Sequence, residues 1–435
     1  MTSVTRARHR KGGRKRDFDA SCRNDGEGVL RFEQSRRPTA TVFPLARRER
    51  CIANMEQQSH PIKVALVGCG QIMTHHIAAM SALPPGEFCI SALVDPSSER
   101  RGCISELVMR AGASHLAPSD GMGMFDALGD LLAAPESKPD AVFISVPHDL
   151  HVALAQQALD AGLNVVMEKP LAPTTEGCRT LLDASAASSG MLIISEQSPY
   201  WEEVVKAKDL LRGGKIGNLI SASSYYYESM RDNVTSGLDD AGGLGWRASL
   251  KRAGGGIVID GGLHWIRPIR EFCGEVDSVV GVTSNAEPAL KMEGETLAHA
   301  LLKMAGHDGM VATFSANMMH QAPMAHDVCP YFRLTGTKGE LVIYGTGLNM
   351  DGGGGLRLYD GDSPEGVDLF PRDRRGGFFL GFRGIWRAVS EILATDDRPR
   401  ARETVRSAAA DVGVALALYR SSESGQWEKC EQFGN

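Results

Sequence analysis

The sequence predicts an α/β chain. A doubly wound parallel sheet comes first, followed by an α+β domain with an open-faced, largely antiparallel sheet. Three observations predict this. Short apolar, β-branched runs alternate with helical stretches between residues 62 and 195. One such run passes straight into a glycine turn and a helix at 62–82. From about residue 215 onward, short strands are divided by glycine-rich turns. Strands alternating with helices indicate a parallel sheet covered on both faces, whereas strands joined by turns indicate antiparallel pairing.

The chain has 435 residues, 43% apolar and 23% charged, enough for two or three domains and a sizeable core. No apolar run approaches the ~20 residues of a membrane span, so no membrane partner is expected. Residues 1–54 hold 14 Lys/Arg against 6 Asp/Glu, while the remainder holds 33 against 47. The body is therefore acidic. That disfavours nucleic acid, whose phosphates need clustered cations. The nine cysteines are scattered and none forms a CxxC pair. They read as reduced thiols in a cytoplasmic protein, and no metal centre is expected.

Arg6 to Arg16 is a basic run, RARHRKGGRKR, followed by Gly, Ser and mixed charges without period. Residues 1–59 are expected to be a disordered basic extension. Three readings stand: a nuclear or nucleic-acid tail, an organellar transit peptide, and a working start at Met55. Asp17, Asp19, Asp25, Glu27 and Glu33 weaken the transit reading, since such peptides are poor in acids. The Met55 reading is favoured, because the fold signal begins directly after it.

Ile62 to Val67 reads as a buried strand. Gly68-Cys69-Gly70-Gln71-Ile72-Met73 follows, and a helix runs from about Ile72 to Ala82. Gly68 and Gly70 permit a tight turn and close approach of a pyrophosphate. The helix then points free N–H groups at it. The third small residue of the dinucleotide fingerprint is absent, and Met73 stands there. Phe88 to Val94 is a second strand, ended by Asp95. An acid there can accept bonds from both ribose hydroxyls of NAD and would repel the 2′-phosphate of NADP. NAD is the expected cofactor. Arg100 and Arg101 leave NADP open.

Asp140 to Pro147 is a strand that carries Ser145 and Pro147 to the same rim. A helix from about Leu150 to Ala161 is expected, with Asp149 as N-cap and Gly162 closing it. Leu163 to Met167 is a strand, Thr174 to Ser188 a helix and Met191 to Ser195 a strand. Ligands bind at the carboxyl ends of such strands. Gly68, Gly70, Asp95, Pro147, His148 and Glu168 share that rim. Lys169 of Glu168-Lys169-Pro170 would face the nicotinamide end of a bound cofactor.

These motifs resemble the glucose-fructose oxidoreductase / inositol dehydrogenase / rhizopine-catabolism (Gfo/Idh/MocA) family. The matching pieces are VALVGCGQI with His76 on the next helix, DAVFISVPHDLHVALAQQALDAGLNVVMEKPLAPT, GGGIVIDGGLHWI, RLTGTKGELVIYG and ALALYRSSESGQ, together spanning about 61–426. The resemblance implies an NAD(P)-binding domain over 60–190 and a substrate and oligomerisation domain over 191–435. It implies a homo-oligomer, dimer or tetramer, paired through the open sheet face. It places Lys169 and the Asp260-x-x-x-His264 pair at the substrate. His264 would accept the proton of the substrate hydroxyl, a task that suits an imidazole with its ordinary pKa of about 6.5. Lys169 would bond the same oxygen, and Asp260 would bind substrate or orient the pair. His148 and His151 would flank the cofactor, with a packing role left open for His151. Glu168 would bond its ribose or only hold the loop. Arg247 would touch substrate, and Trp246 would pack. The i, i+4 spacing puts Asp260 and His264 on one helix face, which the glycines at 254–256 would open. Arg267 stands where an acid is usual in this family.

The implied activity is hydride transfer between nicotinamide and a secondary alcohol of a sugar, cyclitol or related diol. A redox-neutral NAD-dependent glycosidase or lyase, or a dinucleotide-sensing regulator, are the alternatives. Asn218–Tyr227, Val276–Thr283, Thr296–Met304, Met310–Asn317 and Tyr331–Tyr344 are expected strands, with one or two rings of Tyr225-Tyr226-Tyr227 inward. Asp351 to Gly355 reads as a connecting loop, and Arg402 to Ser421 as a helix packing back on the domains.

Overall fold

β1 (Ile62–Val67) is apolar on both faces, and both faces are covered. The computed structural model describes residues 60–434 apart from 111, 135, 137, 230–243, 308, 320–329, 345–354 and 371–376. The expectations for residues 1–59 and for the glycine loop at 351–354 lie outside the described residues. β1 is joined by β2 (Phe88–Val94), β3 (Gly123–Phe125), β4 (Ala141–Ile144), β5 (Asn164–Glu168) and β6 (Leu192–Ser195). All pair in parallel, in the order β3-β2-β1-β4-β5-β6. The chain reverses its winding between β1 and β4, and their carboxyl ends open a crevice there.

Helices α1 (Met73–Ser81) and α2 (Ser98–Met109) lie with one core layer. α3 (Leu128–Leu132), α4 (His151–Asp160) and α5 (Thr175–Ala187) lie with the other. Their starts follow local chemistry. Ser97 accepts the N–H of Arg100, and Thr174 accepts that of Gly177. Asp149 does not cap α4 as the sequence suggests. A 3-10 turn at His148–Leu150 comes first, and the Asp149 carboxylate lies 3.6 Å from Arg252. Gly162 does end that helix, with φ +72.

Met73 is fully buried beside Ile77 and Met80, in one layer with Leu66, Ile90 and Phe143. The helix therefore packs through a long, adaptable side chain where a third glycine would bring the backbones together.

α6 (Glu202–Arg212) leads to the second sheet. Its strands are β7 (Leu219–Ser229), β8 (Val276–Ser284), β9 (Leu297–Met304), β10 (Val311–Met319), β11 (Pro330–Gly336), β12 (Gly339–Tyr344), β13 (Gly355–Asp360), β14 (Ser363–Phe370) and β15 (Glu428–Lys429). The order is β14-β13-β12-β11-β7-β10-β9-β8-β15, antiparallel except for β7 with β10. The single strand expected over 331–344 is a hairpin, because Gly336 and Gly339 turn it back on itself.

Burial alternates strictly along β9 and β10. One face packs on helices, and the other leaves Val282 and Leu301 exposed. Tyr226 points inward, while Tyr225 and Tyr227 are half-buried.

α7 (Leu250–Ala253) and α8 (Leu263–Cys273) lie between β7 and β8 in the chain, and α9 (Gly377–Thr395) and α10 (Arg398–Ser424) follow β14. The expected helix at 402–421 is longer than its apolar pattern. Asp397 caps it by accepting the Arg400 N–H, and Gly425 at φ +68 ends it. It packs on β6, α5 and β8, and so joins the two sheets. α9 returns to the first sheet. Phe382, Ile385, Trp386, Val389 and Ile392 are buried against α1 and that sheet's core layer. At about 1.5–3 kcal/mol for each large side chain fully buried, this face fixes where the helix docks. Among the described residues, no helix is long and apolar enough to cross a membrane.

Gly68 shows how tightly the switch point is built. Its φ is +91, and a Cβ there would lie 2.1 Å from the Ser145 carbonyl oxygen. Nothing lies within 4 Å of a Cβ at Gly70. Gly68→Ala should therefore lower stability by about 2–4 kcal/mol, and Gly70→Ala by no more than about 0.5. Paired thermal unfolding curves of the two variants check this; equal losses would show that the close approach is not what matters.

Candidate active site

The rim at the carboxyl ends of β1, β2, β4 and β5 gathers the predicted residues. The glycine turn is anchored from below. The Asp95 carboxylate accepts the Cys69 N–H through Oδ2 at 2.8 Å and the Ser97 N–H through Oδ1 at 2.9 Å. Gly70 and Ile72 are half-buried and Gln71 is exposed, and the first N–H groups of α1, those of Met73, Thr74 and His75, donate to the carbonyls of Gly70, Gln71 and Ile72. The open space at Gly70 lies where a phosphate would approach, so the turn fits the pyrophosphate of a dinucleotide. Arg101 donates to the Asp95 carbonyl and pairs with Asp126 at 2.6 Å, which sets a cation beside the acid. Ser145 is buried at the end of β4, with Pro147 half-buried after it.

Lys169 follows β5 directly. Its Nζ donates to Asp260 Oδ1 at 2.7 Å and to the Asp260 carbonyl at 2.8 Å. Arg247 Nε donates to Asp260 Oδ2 at 2.7 Å, and His148 Nε2 stands 3.8 Å from Oδ1. Burial pushes Asp260 up, but Lys169 and Arg247 hold it well below the usual carboxylate range. Burial pushes His148 the other way, well below an ordinary imidazole, against the pull of Asp260. Its Nδ1 faces the Ala253 carbonyl at 2.8 Å, so the neutral ring donates there and keeps a lone pair on Nε2. Trp246 packs edge-on against His148 at 4.5 Å and carries the Arg247 guanidinium over its face.

Asp260 stands in one turn of π-helix, Val258–Gly262, that feeds α8. The sequence suggests a regular helix here; the structure inserts a wider turn. Its cause is Glu295. That carboxylate accepts N–H groups from Gly256 at 2.7 Å and Val258 at 2.9 Å, and the Tyr419 hydroxyl at 2.8 Å. It thereby satisfies donors that a helix start leaves free. A Cβ at Gly256 would lie 2.0 Å from the Glu295 carbonyl, so only glycine allows this approach. Asp260 and His264 then take different partners. Asp260 meets Lys169, whereas His264 Nδ1 lies 2.8 and 3.0 Å from the two carboxylate oxygens of Glu196.

Glu168 Oε1 accepts from His76 Nε2 at 2.8 Å. Trp386 Nε1 donates to His76 Nδ1 at 3.0 Å, which fixes the ring with its proton on Nε2. Burial raises Glu168, but His76, Lys169 and His264 outweigh it and draw it down. Its other oxygen accepts the Lys169 N–H at 3.2 Å, so it holds the loop from which Lys169 projects. His151 is fully buried, with Nδ1 2.7 Å from the Pro170 carbonyl and Nε2 3.1 Å from that of Val146. Neither ring nitrogen is open to a ligand. Arg267 is buried on α8, and its Nε donates to Asp411 at 2.7 Å. It faces α10 and stands away from Lys169 and Asp260 in its contacts.

Sequence reasoning passed over two acids. Glu196 follows β6, and its position after a strand end is the same signal that pointed to Asp95 and Glu168. Glu228, at the end of β7, accepts the Tyr226 hydroxyl. Burial pushes Glu228 up, and the Asp260 charge adds to that against Tyr226, Arg247 and Lys169. Nothing in its local sequence marks it.

Residues 62–196 match the oxidoreductase family model with NAD-binding Rossmann fold, and 204–342 match the GFO/IDH/MocA C-terminal domain. An uncharacterised oxidoreductase of Schizosaccharomyces pombe is 28% identical over 207 residues, 47% of this chain and 50% of that protein. Levoglucosan dehydrogenase of Pseudarthrobacter phenanthrenivorans is 29% identical over 147 residues, 34% of this chain and 36% of that protein. The matched part is thus half or less of these relatives' own length. The structure of aldose-aldose oxidoreductase from Caulobacter crescentus, complexed with glycerol, superposes with a TM-score of 0.66 at 21% identity. That likeness covers 85% of this chain and 100% of the other, and it shows a shared fold. With both halves matched and a glycine turn, rim acid and Glu-Lys-Pro lysine in place, the chain belongs to the Gfo/Idh/MocA oxidoreductase family, with an NAD-binding Rossmann domain.

Proposed function

We propose that this chain is an NAD(P)-dependent dehydrogenase that moves hydride between nicotinamide and a secondary alcohol of a sugar, cyclitol or related diol. The observation that carries the proposal is the Lys169–Asp260 pair just after β5, on the same sheet rim as the dinucleotide turn, with Glu168 facing both Lys169 and His264. Two N–H groups of the Lys169 ammonium are taken by Asp260, which leaves one for a substrate oxygen. A positioned cation there stabilises charge as the hydroxyl loses its proton. His264 has Nδ1 engaged by Glu196, so among the described residues Nε2 is its open nitrogen and the proton acceptor. The proton passes to Nε2 and then to solvent; a bound nicotinamide would supply the acceptor for the hydride of the carbinol carbon. Arg247 and Glu228 stand near enough to Asp260 to read further hydroxyls. A sugar-like substrate accords with relatives named for levoglucosan and aldoses.

Asp95 would bond the ribose hydroxyls and favour NAD, with Arg101 close enough to admit NADP. Subunits would pair through the open face of the second sheet, where Val282 and Leu301 are exposed. Sedimentation of the full chain should show a dimer or tetramer; a monomer at all concentrations would reject that pairing.

Screening NAD and NADP against sugars, inositols, sugar acids and vicinal diols at pH 7 and 9 tests the activity, through cofactor absorbance. Lys169→Ala should cut turnover by about 10²–10⁴-fold while NAD affinity stays within a few-fold. Undiminished turnover would remove Lys169 from the chemistry. Asp95→Ala should narrow the ratio of NAD to NADP efficiency, and an unchanged ratio would reject the ribose role.

A further inference from the structure

The first sheet ends at β6, and the residue after it is an acid taken almost wholly out of water. Glu196 is 3% exposed. Its two oxygens lie 2.8 and 3.0 Å from His264 Nδ1, and Oε1 also accepts the Ser198 N–H at 2.8 Å. An ionised carboxylate only accepts hydrogen bonds, so the proton of a neutral His264 ring must sit on Nδ1. Nε2 then carries the lone pair.

A buried network of charges stands near this pair. Arg267 lies one turn after His264 on α8, and it is clamped by Asp411 of α10 through Nε at 2.7 Å and Nη2 at 2.6 Å. Asp411 is in turn paired with Arg270 on its other oxygen. Burial pushes Glu196 up, but the charge of His264 when that ring is protonated, the His264 and Ser198 hydrogen bonds and the Arg267 charge draw it down to about 2. Further charged groups around this pair come from several elements. Glu168 after β5 faces His264, Asp411 of α10 faces Glu196 and Arg267, and Glu271 on α8 itself faces Arg267. Among them Arg267 is the cation on Glu196 besides His264.

We propose that Glu196 is a positioning residue, which holds His264 as the Nδ1–H tautomer with the Nε2 lone pair turned to substrate. This rests on the reading of His264 as proton acceptor. The substrate O–H bond breaks, its proton forms a bond to Nε2, and the resulting imidazolium is paired with Glu196. The proton then leaves to solvent. The electron pair stays on the substrate oxygen and would form the carbonyl as hydride departs to a bound nicotinamide, the acceptor that the proposed function names. A neutral partner at 196 would leave the ring free to carry its proton on Nε2, where it cannot accept another.

The tautomer can be read without turnover. Full-length protein labelled with ¹⁵N-histidine is titrated, with the His264 resonances assigned by difference from His264→Gln. The wild-type ring is expected to show a protonated Nδ1 and a bare Nε2 when neutral. Glu196→Gln should move the proton toward Nε2 and lower turnover at least ~10²-fold with the best polyol of the screen, while NAD affinity measured by calorimetry stays within a few-fold. Glu196→Asp, which keeps the carboxylate, should recover part of both. A wild-type ring protonated on Nε2 overturns the proposal whether or not any variant folds. So does an unchanged tautomer in Glu196→Gln. If the tautomer moves as expected but wild-type protein oxidises no polyol, the positioning role stands and the dehydrogenase reading falls.

Discussion

An ionised carboxylate drawn largely out of water costs several kcal/mol unless it is paired, and Asp260, with 16% of its side chain exposed, is such a group. Its pairing organises the rest of the site. Lys169 comes from the end of β5, Arg247 from the segment ahead of the glycine run, and His148 from the turn after β4. Satisfying one carboxylate thus holds three separate segments to the π-turn. It also sets their charges. The cations draw Asp260 down, while burial keeps His148 neutral even beside an acid. A bound alcohol would meet a lysine already oriented, and no reorganisation would be needed as charge develops.

That arrangement depends on close backbone approach. The π-turn can present Asp260 only because Gly256 allows Glu295 to come near and cap the free N–H groups. Tyr419, from the long helix α10, bonds the same carboxylate. α10 also packs on β6 and β8. The site is therefore braced by the helix that unites the two sheets, and its geometry is inherited from the packing of the whole molecule.

Several charges around the site are structural supports. Glu168 is held by His76, and His76 by Trp386, so the loop carrying Lys169 is tied to α9. His151 joins the turn after β4 to the Lys169-Pro170 segment through two carbonyls. Arg267, Arg270 and Asp411 form a buried network between α8 and α10. Breaking one member of such a set leaves an uncompensated buried charge, so its members depend on one another.

The parallel sheet was legible because both of its faces are buried and its strands read as apolar runs; the glycine turn, Asp95 and the Glu168-Lys169-Pro170 element sit next to strand ends, where chain order and position on the rim coincide. The motif likewise pointed to Asp260 and His264. Periodicity could not show that they diverge, since their partners, Lys169 and Glu196, lie 91 and 68 residues away. The hairpin at 330–344 was blurred because glycine turns and strands share one apolar stretch, and α9 gave no hint that it returns to the first sheet. Local sequence carries period, turn chemistry and caps, which are properties of near neighbours. Which acid neutralises which cation, which tautomer a histidine keeps and which face a late helix covers were decided only by tertiary structure, because burial and long-range pairing set those energies.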